Sequence, residues 1–351
     1  MSSIYFLQLS LPQTGLCNQL NSLLATICYC VNNEKIIVID KFLKEIHTNN
    51  YAPIADILDL EKTNQFLEKY NIALVDGNFT DNLTIISAKY GCNDIFMDVT
   101  SVVKSFLTNN KLIIKKEIDL NSIFGDCHVN KAKILKIDFM LNNHNRFTMS
   151  FSEKNNFLTK DIDIDFTNKN YTMIPSWEQI DSPEYVNMTT DIYKNLTFHD
   201  VLIIHSNQFI QKTGITGSSI VNIIHLRLED DAISFWCSAN KLSKEDFKKR
   251  LSEKYIHLIN TLIDKKDKTI ILTYDSNNLV INHLKNNNYN YFIHDKIKNN
   301  NREVNAIIDI INSKCCNNVF ISVGGSTFSW TIAKLIQPKL IKWIDINNIN
   351  N

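Results

Sequence analysis

A chain of 351 residues, 44% of them hydrophobic, is too long for one small module, holds core material for two domains and excludes wholesale disorder. Lysine plus arginine equals aspartate plus glutamate, 37 against 37, so nothing pulls the whole molecule toward nucleic acid or an anionic membrane. Any phosphate it binds must be held by a local site.

In chain order, the N-terminal stretch MSSIYFLQLSLPQTG is strand-like and lacks the basic start and long apolar run of a signal peptide. IYFLQLSL reads as a short buried strand, QTGLCNQ as a turn, LNSLLATICYCVNNEK as a helix and IIVID as a second buried strand. This is the opening of a doubly wound domain. Over residues 50–205, apolar stretches such as ADILDL, LTIISA and KLIIKK alternate with asparagine-rich loops, which supports an α/β layer without fixing a strand order. QKTGITGSS carries two of the eight glycines and marks the expected domain boundary, giving domains 1–215 and 216–351. Beyond it IVNIIHLRL, TIILTYD, YNYFIHD, NNVFISV and LIKWIDI read as strands. Four helices separate them, the first opening at Ser243 with Asp246 three residues on as a capping box. Five strands alternating with helices predict a parallel sheet covered on both faces, and the whole chain reads as α/β, two Rossmann-like doubly wound domains facing one another.

The 46 asparagines accompany abundant isoleucine and lysine, residues that share AT-rich codons, so they read as codon bias and not as an asparagine-based function. With so few glycines, each one kept is a candidate for a place where only glycine fits. The eight cysteines form no CxxC pair, which argues against a zinc knuckle or a disulfide framework and for reduced, mostly buried thiols in the cytoplasm. The four sequons, at Asn78, Asn82, Asn187 and Asn195, are expected by chance in so asparagine-rich a chain. No run of 18 apolar residues occurs, so no transmembrane segment is expected.

Ligands of parallel α/β sheets collect at the carboxyl ends of the strands, which makes the segments that follow strands the candidates. Gly15-Leu16-Cys17-Asn18-Gln19 joins a strand to a helix start, where backbone amides suit an anion and Asn18 and Gln19 add side-chain donors. An ordinary turn with a capping asparagine accounts for the same residues, and the missing GxGxxG spacing does not indicate a dinucleotide. In His225-Leu226-Arg227-Leu228-Glu229-Asp230-Asp231, strand alternation sets His225 and Arg227 on one face. Arg227 offers a charged fork for a diphosphate with His225 as a donor beside it; a salt bridge to a neighbouring acid is the plain alternative. Gly324-Gly325-Ser326-Thr327-Phe328-Ser329-Trp330 follows a strand and can cradle phosphate, or Ser326 can simply cap a helix. Phe328 and Trp330 read chiefly as core packing. Asp275, at the end of TIILTYD, can pair with a nucleobase or ribose hydroxyl, or be a solvated turn acid.

Together the three segments resemble the motif set of the GDP-fucose-dependent fucosyltransferases, the superfamily of α1,2-, α1,6- and protein O-fucosyltransferases. Gly15-x-x-Asn18-Gln19 is similar to their G-x-x-N-Q, and His225-x-Arg227-x-x-Asp230 to their H-x-R-x-x-D. Ser326-Thr327-Phe328-Ser329-Trp330 is similar to the S-T-F-S-W of the α1,2 branch, and the stretch from Tyr185 to Phe198 to the helix before their domain boundary. Cys17 stands where the α1,2 branch has a glycine, and Leu228-Glu229 where it has Arg-Gly, so no linkage subfamily is assigned.

The resemblance implies a GT-B fold, two Rossmann-like domains facing a central cleft, with an acceptor domain over 1–215 and a nucleotide-sugar domain over 216–351. It implies an inverting glycosyltransferase that moves fucose from GDP-fucose to a glycan or protein hydroxyl, with no cofactor. With an arginine and a helix start to carry the leaving charge, and with no Asp-x-Asp motif read in the chain, metal independence is expected. The donor-binding set is Gly15, Asn18, Gln19, His225, Arg227, Asp275, Gly325, Ser326, Thr327 and Phe328. Arg227 is the catalytic group that neutralises the leaving diphosphate, assisted by amides at Ser326 and Thr327. The base is sought among Asp230, Glu229 and Asp231, or in the unassigned region 50–180. Two other classes remain open: a GT-B enzyme using another GDP- or UDP-sugar, and a non-catalytic protein that binds nucleotide sugar or glycan.

Overall fold

The computed structural model describes residues 3–4, 6–9, 16–31, 36–39, 52–76, 83–141, 145–153, 161–165, 171–173, 186–297 and 302–349. The chain divides into two compact units, Met1–His199 and Asp200–Asn351.

The first unit opens with β1 (Ser3–Ile4), β2 (Phe6–Leu9), α1 (Leu16–Val31) and β3 (Ile36–Ile39). Helix α1 starts earlier than the apolar spacing predicts, so Cys17, Asn18 and Gln19 lie in its first turn and not in a preceding loop. It is buried on nearly every side, and Cys28 within it has its thiol pushed up to about 12 by burial. Next come α2 (Ile54–Ile57), α3 (Leu60–Leu67) and β4 (Ala73–Asp76). A parallel sheet forms in the order β12-β2-β3-β4, closed by β12 (Tyr171–Met173), and α6 (Val186–Asn195) packs on α1.

The unassigned middle of this unit is where structure and expectation part. It holds β5 (Leu83–Cys92), β6 (Ile95–Asp98), α4 (Thr100–Ser105), β7 (Leu107–Thr108), β8 (Lys111–Ile114), α5 (Leu120–Phe124), β9 (Ile134–Leu141), β10 (Asn145–Ser152) and β11 (Ile162–Asp165). An antiparallel sheet, β10-β9-β5-β6, stands beside a mixed one, β1-β11-β8-β7. Strand β9 alternates strictly, with Leu135, Ile137, Phe139 and Leu141 inward, and Phe139 stacks on Phe147 of β10 at 5.2 Å. Of the apolar stretches read in the sequence, LTIISA and KLIIKK are thus strands with antiparallel partners, not members of a βα layer, whereas ADILDL runs through α2 to the start of α3.

The second unit begins with α7 (Asp200–Thr213), ended by Gly214 at φ 63°. Its sheet is formed by β13 (Val221–His225), β14 (Lys268–Leu272), β15 (Tyr291–Ile293), β16 (Val319–Val323) and β17 (Leu340–Ile344). All pairings are parallel and the order is β15-β14-β13-β16-β17, the doubly wound arrangement the sequence predicts. The helices are α8 (Asp230–Asn240), α9 (Lys244–Leu262), α10 (Leu279–Asn286), α11 (Arg302–Ser313) and α12 (Thr327–Leu335). Ser243 caps α9 as expected: its Oγ accepts from the Asp246 amide at 3.0 Å and donates to the Asp246 carboxylate. Helix α8 was not foreseen, and it makes Asp230 a first-turn residue instead of a strand-end one.

Six asparagines (Asn71, Asn93, Asn109, Asn110, Asn130 and Asn288) hold positive φ, doing in turns what glycine usually does. All eight cysteines are unpaired. Among the described residues, no helix is long and apolar enough to cross a membrane.

Candidate functional site

In an open α/β sheet the crevice lies where neighbouring strands send their connections to opposite sides. In the second unit that point falls between β13 and β16, which pair with each other although β14 and β15 intervene in sequence. The residues leaving those two strands are His225 to Asp231 and Gly324 to Phe328, two of the three segments singled out above.

His225 ends a fully buried strand and keeps 6% exposure. Its Nδ1 lies 2.8 Å from Ser329 Oγ and 3.1 Å from Ser322 Oγ, and the two hydroxyls are 2.6 Å apart. The His225 carbonyl accepts from Ser322 Oγ at 3.2 Å and from Tyr255 Oη at 2.7 Å. Tyr255, wholly buried on α9, also accepts from the Arg227 amide, so one phenol holds both ends of the His-x-Arg turn. Phe328 packs its ring on the imidazole at 4.9 Å. Burial, then the charges of Arg227 and Lys296, lower the His225 pKa to about 3, so the ring is neutral.

Arg227 projects between buried Leu226 and Leu228 with its side chain 23% exposed. Nη1 donates to Glu229 at 2.9 Å and Nη2 to Asp231 at 2.9 Å, so the plain salt-bridge alternative is present. Burial alone would lower the arginine pKa, but the two carboxylates outweigh it and raise it; the Asp231 carboxyl, for its part, is held below its ordinary range by Arg227. Arg302 Nη2 lies 3.9 Å from Asp231, and its guanidinium sits 5.2 Å from the centre of the Tyr274 ring. Glu229 also accepts from the Tyr274 amide. The fork that a diphosphate would use is therefore pre-aligned by acids with which an anion must compete. Asp230 stands apart, exposed at the start of α8.

Ser326 caps α12, accepting from the Ser329 amide at 3.4 Å, and Thr327 opens the helix. Trp330 donates from Nε1 to the Gly324 carbonyl at 2.7 Å and stacks on Trp343 at 4.6 Å. At 49% exposure it is a surface brace of the Gly-Gly turn and not the core residue expected. A Cβ on Gly325 would come within 2.4 Å of Ile346 Cδ1, the tip of a movable side chain. Asp275 closes the turn into α10, accepting from the Asn277 amide at 2.9 Å with Lys248 Nζ at 3.4 Å.

Of the third segment, Gly15 lies outside the described residues. Gln19 is buried, and Asn18 has a buried Oδ1 with no hydrogen-bond partner among the described residues. They follow β2, which borders β12 at the corresponding point of the first unit's parallel sheet.

The second unit thus brings His225, Arg227, Glu229, Ser326, Thr327 and Phe328 around one crevice. Sequence reasoning missed Tyr255, Ser322, Tyr274 and Arg302, and it included Ser329 in the Ser-Thr-Phe-Ser-Trp segment without giving it a role. Arg302 had a usable signal, as one of only four arginines in the chain. An Asp-x-Asp spacing was also overlooked, in Asp161-Ile162-Asp163-Ile164-Asp165. It forms β11, where Asp161 pairs with Lys115 at 2.9 Å and Asp163 lies 3.4 Å from Lys111.

No family model and no curated protein matches the chain. Among solved structures it is similar to POFUT1 in complex with GDP, at 10% identity over 98% of each chain and a TM-score of 0.49. It is also similar to POFUT1 in complex with GDP-fucose, at 11% identity over 98% of this chain and 99% of that one with a TM-score of 0.48. The fucosyltransferase NodZ from Bradyrhizobium gives 11% identity over 95% of this chain and 94% of its own, with a TM-score of 0.44. Likenesses this distant leave the functional reading to the residues.

Proposed function

We propose that the chain is a glycosyltransferase of the GT-B type that transfers fucose from GDP-fucose to a hydroxyl of a glycan or protein, with inversion and without a metal. The reading is carried by one observation: the hydrogen bonds of His225 to Ser329 and Ser322 tie the His-x-Arg and Gly-Gly-Ser-Thr segments together at the sheet's switch point. Arg227 and the free amides at the start of α12 then meet the diphosphate. As the acceptor oxygen bonds to the sugar carbon and the bond from that carbon to the phosphate oxygen breaks, they stabilise the charge left on GDP. Each well-placed donor is worth about 3 kcal/mol in such a step. Glu229 and Asp231 are committed to Arg227, so the acceptor's proton would go to Asp230, exposed at the start of α8, or to a base from residues 50–180. Eight unpaired cysteines favour work in the cytoplasm.

A second reading, binding of nucleotide sugar without transfer, is favoured by the closure of both acids on Arg227. A thermal-shift panel of GDP, UDP, CMP, ADP and NAD, each with and without magnesium, tests the first part. A ligand at ~100 times its Kd adds about 2.7 kcal/mol of stability. Stabilisation by GDP alone, indifferent to magnesium, is expected; preference for UDP overturns the donor, and no shift overturns the site. Release of GDP from GDP-fucose in the presence of candidate acceptors then separates transfer from binding.

A further inference from the structure

The hydrogens on the four polar atoms around His225 Nδ1 can be placed in three ways. In the first, Nδ1–H donates to Ser329 Oγ and, more weakly, to Ser322 Oγ; Ser329 donates to Ser322, and Ser322 donates to the His225 carbonyl. Every one of the four short contacts, at 2.8, 3.1, 2.6 and 3.2 Å, then contains a hydrogen. In the second, Ser322 donates to Ser329 and Ser329 to a bare Nδ1. That pattern leaves two contacts in which lone pairs face each other, Ser322 Oγ against Nδ1 at 3.1 Å and against the His225 carbonyl at 3.2 Å. In the third, Ser329 donates to a bare Nδ1 and Ser322 to the His225 carbonyl or to Tyr255, which leaves the 2.6 Å serine–serine contact and the 3.1 Å Ser322–Nδ1 contact without a hydrogen. In a buried setting an unmade hydrogen bond costs the desolvation of its groups, about 1–3 kcal/mol each, so the first pattern prevails. Burial keeps the ring neutral, so it carries a single N–H, and that hydrogen is spent inside the protein.

We infer that Ser322 and Ser329 are positioning residues that lock His225 as its Nδ1–H tautomer, so that Nε2 presents a lone pair and must be met by an O–H or N–H of the ligand. Nε2 makes no hydrogen bond among the described residues. His225 is then not the phosphate donor that its place beside Arg227 suggests. A phosphate oxygen, itself an acceptor, is repelled there, and the crevice sorts its ligand into two ends: anion at Arg227 and α12, nucleoside hydroxyl or amine at His225. The ligand half rests on the nucleotide site proposed above; the tautomer does not.

The test is long-range 1H–15N correlation on the full chain labelled at histidine nitrogen, with His225 assigned by the signal lost in His225→Asn. A pyrrole-type Nδ1 and pyridine-type Nε2 are expected, and a protonated Nε2 overturns the inference. In Ser322→Ala/Ser329→Ala, with folding checked by circular dichroism, a mixture of tautomers is expected; an unchanged tautomer removes the serines from the role. For the ligand half, GDP is compared with 2′-deoxy-GDP, 3′-deoxy-GDP and inosine diphosphate. One donor-deleted analogue should bind about tenfold more weakly, and the double variant should lose that discrimination. Equal affinities overturn the ligand half, whereas failure of GDP itself to bind removes the nucleotide site and leaves the tautomer result standing.

Discussion

The two units share a parallel core of the same order. Counting from the first strand of each, β4-β3-β2-β12 and β15-β14-β13-β16 both run 3-2-1-4, with the switch point between the first strand and the fourth. They differ in how that point is furnished. In the second unit the imidazole Nδ1, both serine hydroxyls and the Tyr255 phenol all have partners. In the first, the helix after β2 is buried on nearly all sides, and Asn18 keeps a buried Oδ1 with no partner among the described residues. One topology therefore supports a switch point where Nδ1, the serines and the tyrosine are paired within the protein and only Nε2 is left for a ligand, and another where a buried Oδ1 has no partner among the described residues, at a cost of about 1–3 kcal/mol.

The largest effect should fall on the part of the first unit that has no counterpart in the second. A Cβ on Gly91 would lie 2.0 Å from the Ile95 carbonyl oxygen, which is backbone and cannot step aside. Gly91→Ala should cost about 3 kcal/mol or more, whereas Gly325→Ala, whose one clash is with the tip of Ile346 and which otherwise meets Trp236 Nε1 and Ile346 Cγ1 at 3.4 Å, should cost under about 1 kcal/mol. Urea midpoints of the two variants check this, and equal losses would deny the difference between the layers.

Next in size is the contrast between the two switch points. Arg227→Ala should weaken GDP binding by about 2–4 kcal/mol, read by calorimetry. Asn18→Ala should leave stability within about 0.5 kcal/mol of the parent or raise it, because the Oδ1 removed has no partner among the described residues. A large stability loss in Asn18→Ala would give the first unit a finished site as well.

Acid provides the third handle. His225 has a pKa near 3 in the folded chain against 6.5 when unfolded, so the unfolded state binds a proton that the folded state refuses. The second unit should keep its full stability above pH 6.5 and lose up to about 1.4 kcal/mol per pH unit as pH falls toward 3. Three of the four tryptophans, Trp236, Trp330 and Trp343, lie in this unit, so their fluorescence follows its unfolding. His225→Gln should flatten the slope, and an unchanged slope would place the acid sensitivity elsewhere.

The three central strands of the second unit, β13, β14 and β16, were legible because strands buried on both faces read as continuous apolar runs, and the edge strands β15 and β17 were placed by the alternation with helices. The first unit's antiparallel layer was not, and β5 shows why. A bulge between Ile85 and Ser87 shifts the pairing, so Leu83 and Ile85 fall out of step with Ala88 and Tyr90 although all four are buried. Helix α8 hid its apolar positions, Ala232, Ile233, Trp236 and Cys237, among serines and asparagine. At the site, His225, Arg227 and Ser326 were found because they follow strands. Tyr255 gave no sign, since a tyrosine on the inner stripe of an amphipathic helix looks like any core aromatic until its hydroxyl is seen between two backbone groups. Ser322 lies inside a strand, where a hydroxyl carries no message until the strand's neighbours are known.

The six left-handed asparagines have a consequence for the unfolded chain. Each sits where a glycine would cost less steric energy once folded. Glycine, however, wanders over far more conformations when unfolded, and all of that freedom must be surrendered on folding. A chain that bends at asparagine begins from a narrower ensemble and gives up less entropy at each bend, by about 0.4–1 kcal/mol when the native geometry is tolerated. Asparagine at these bends thus stiffens the unfolded chain at the points where the folded one turns.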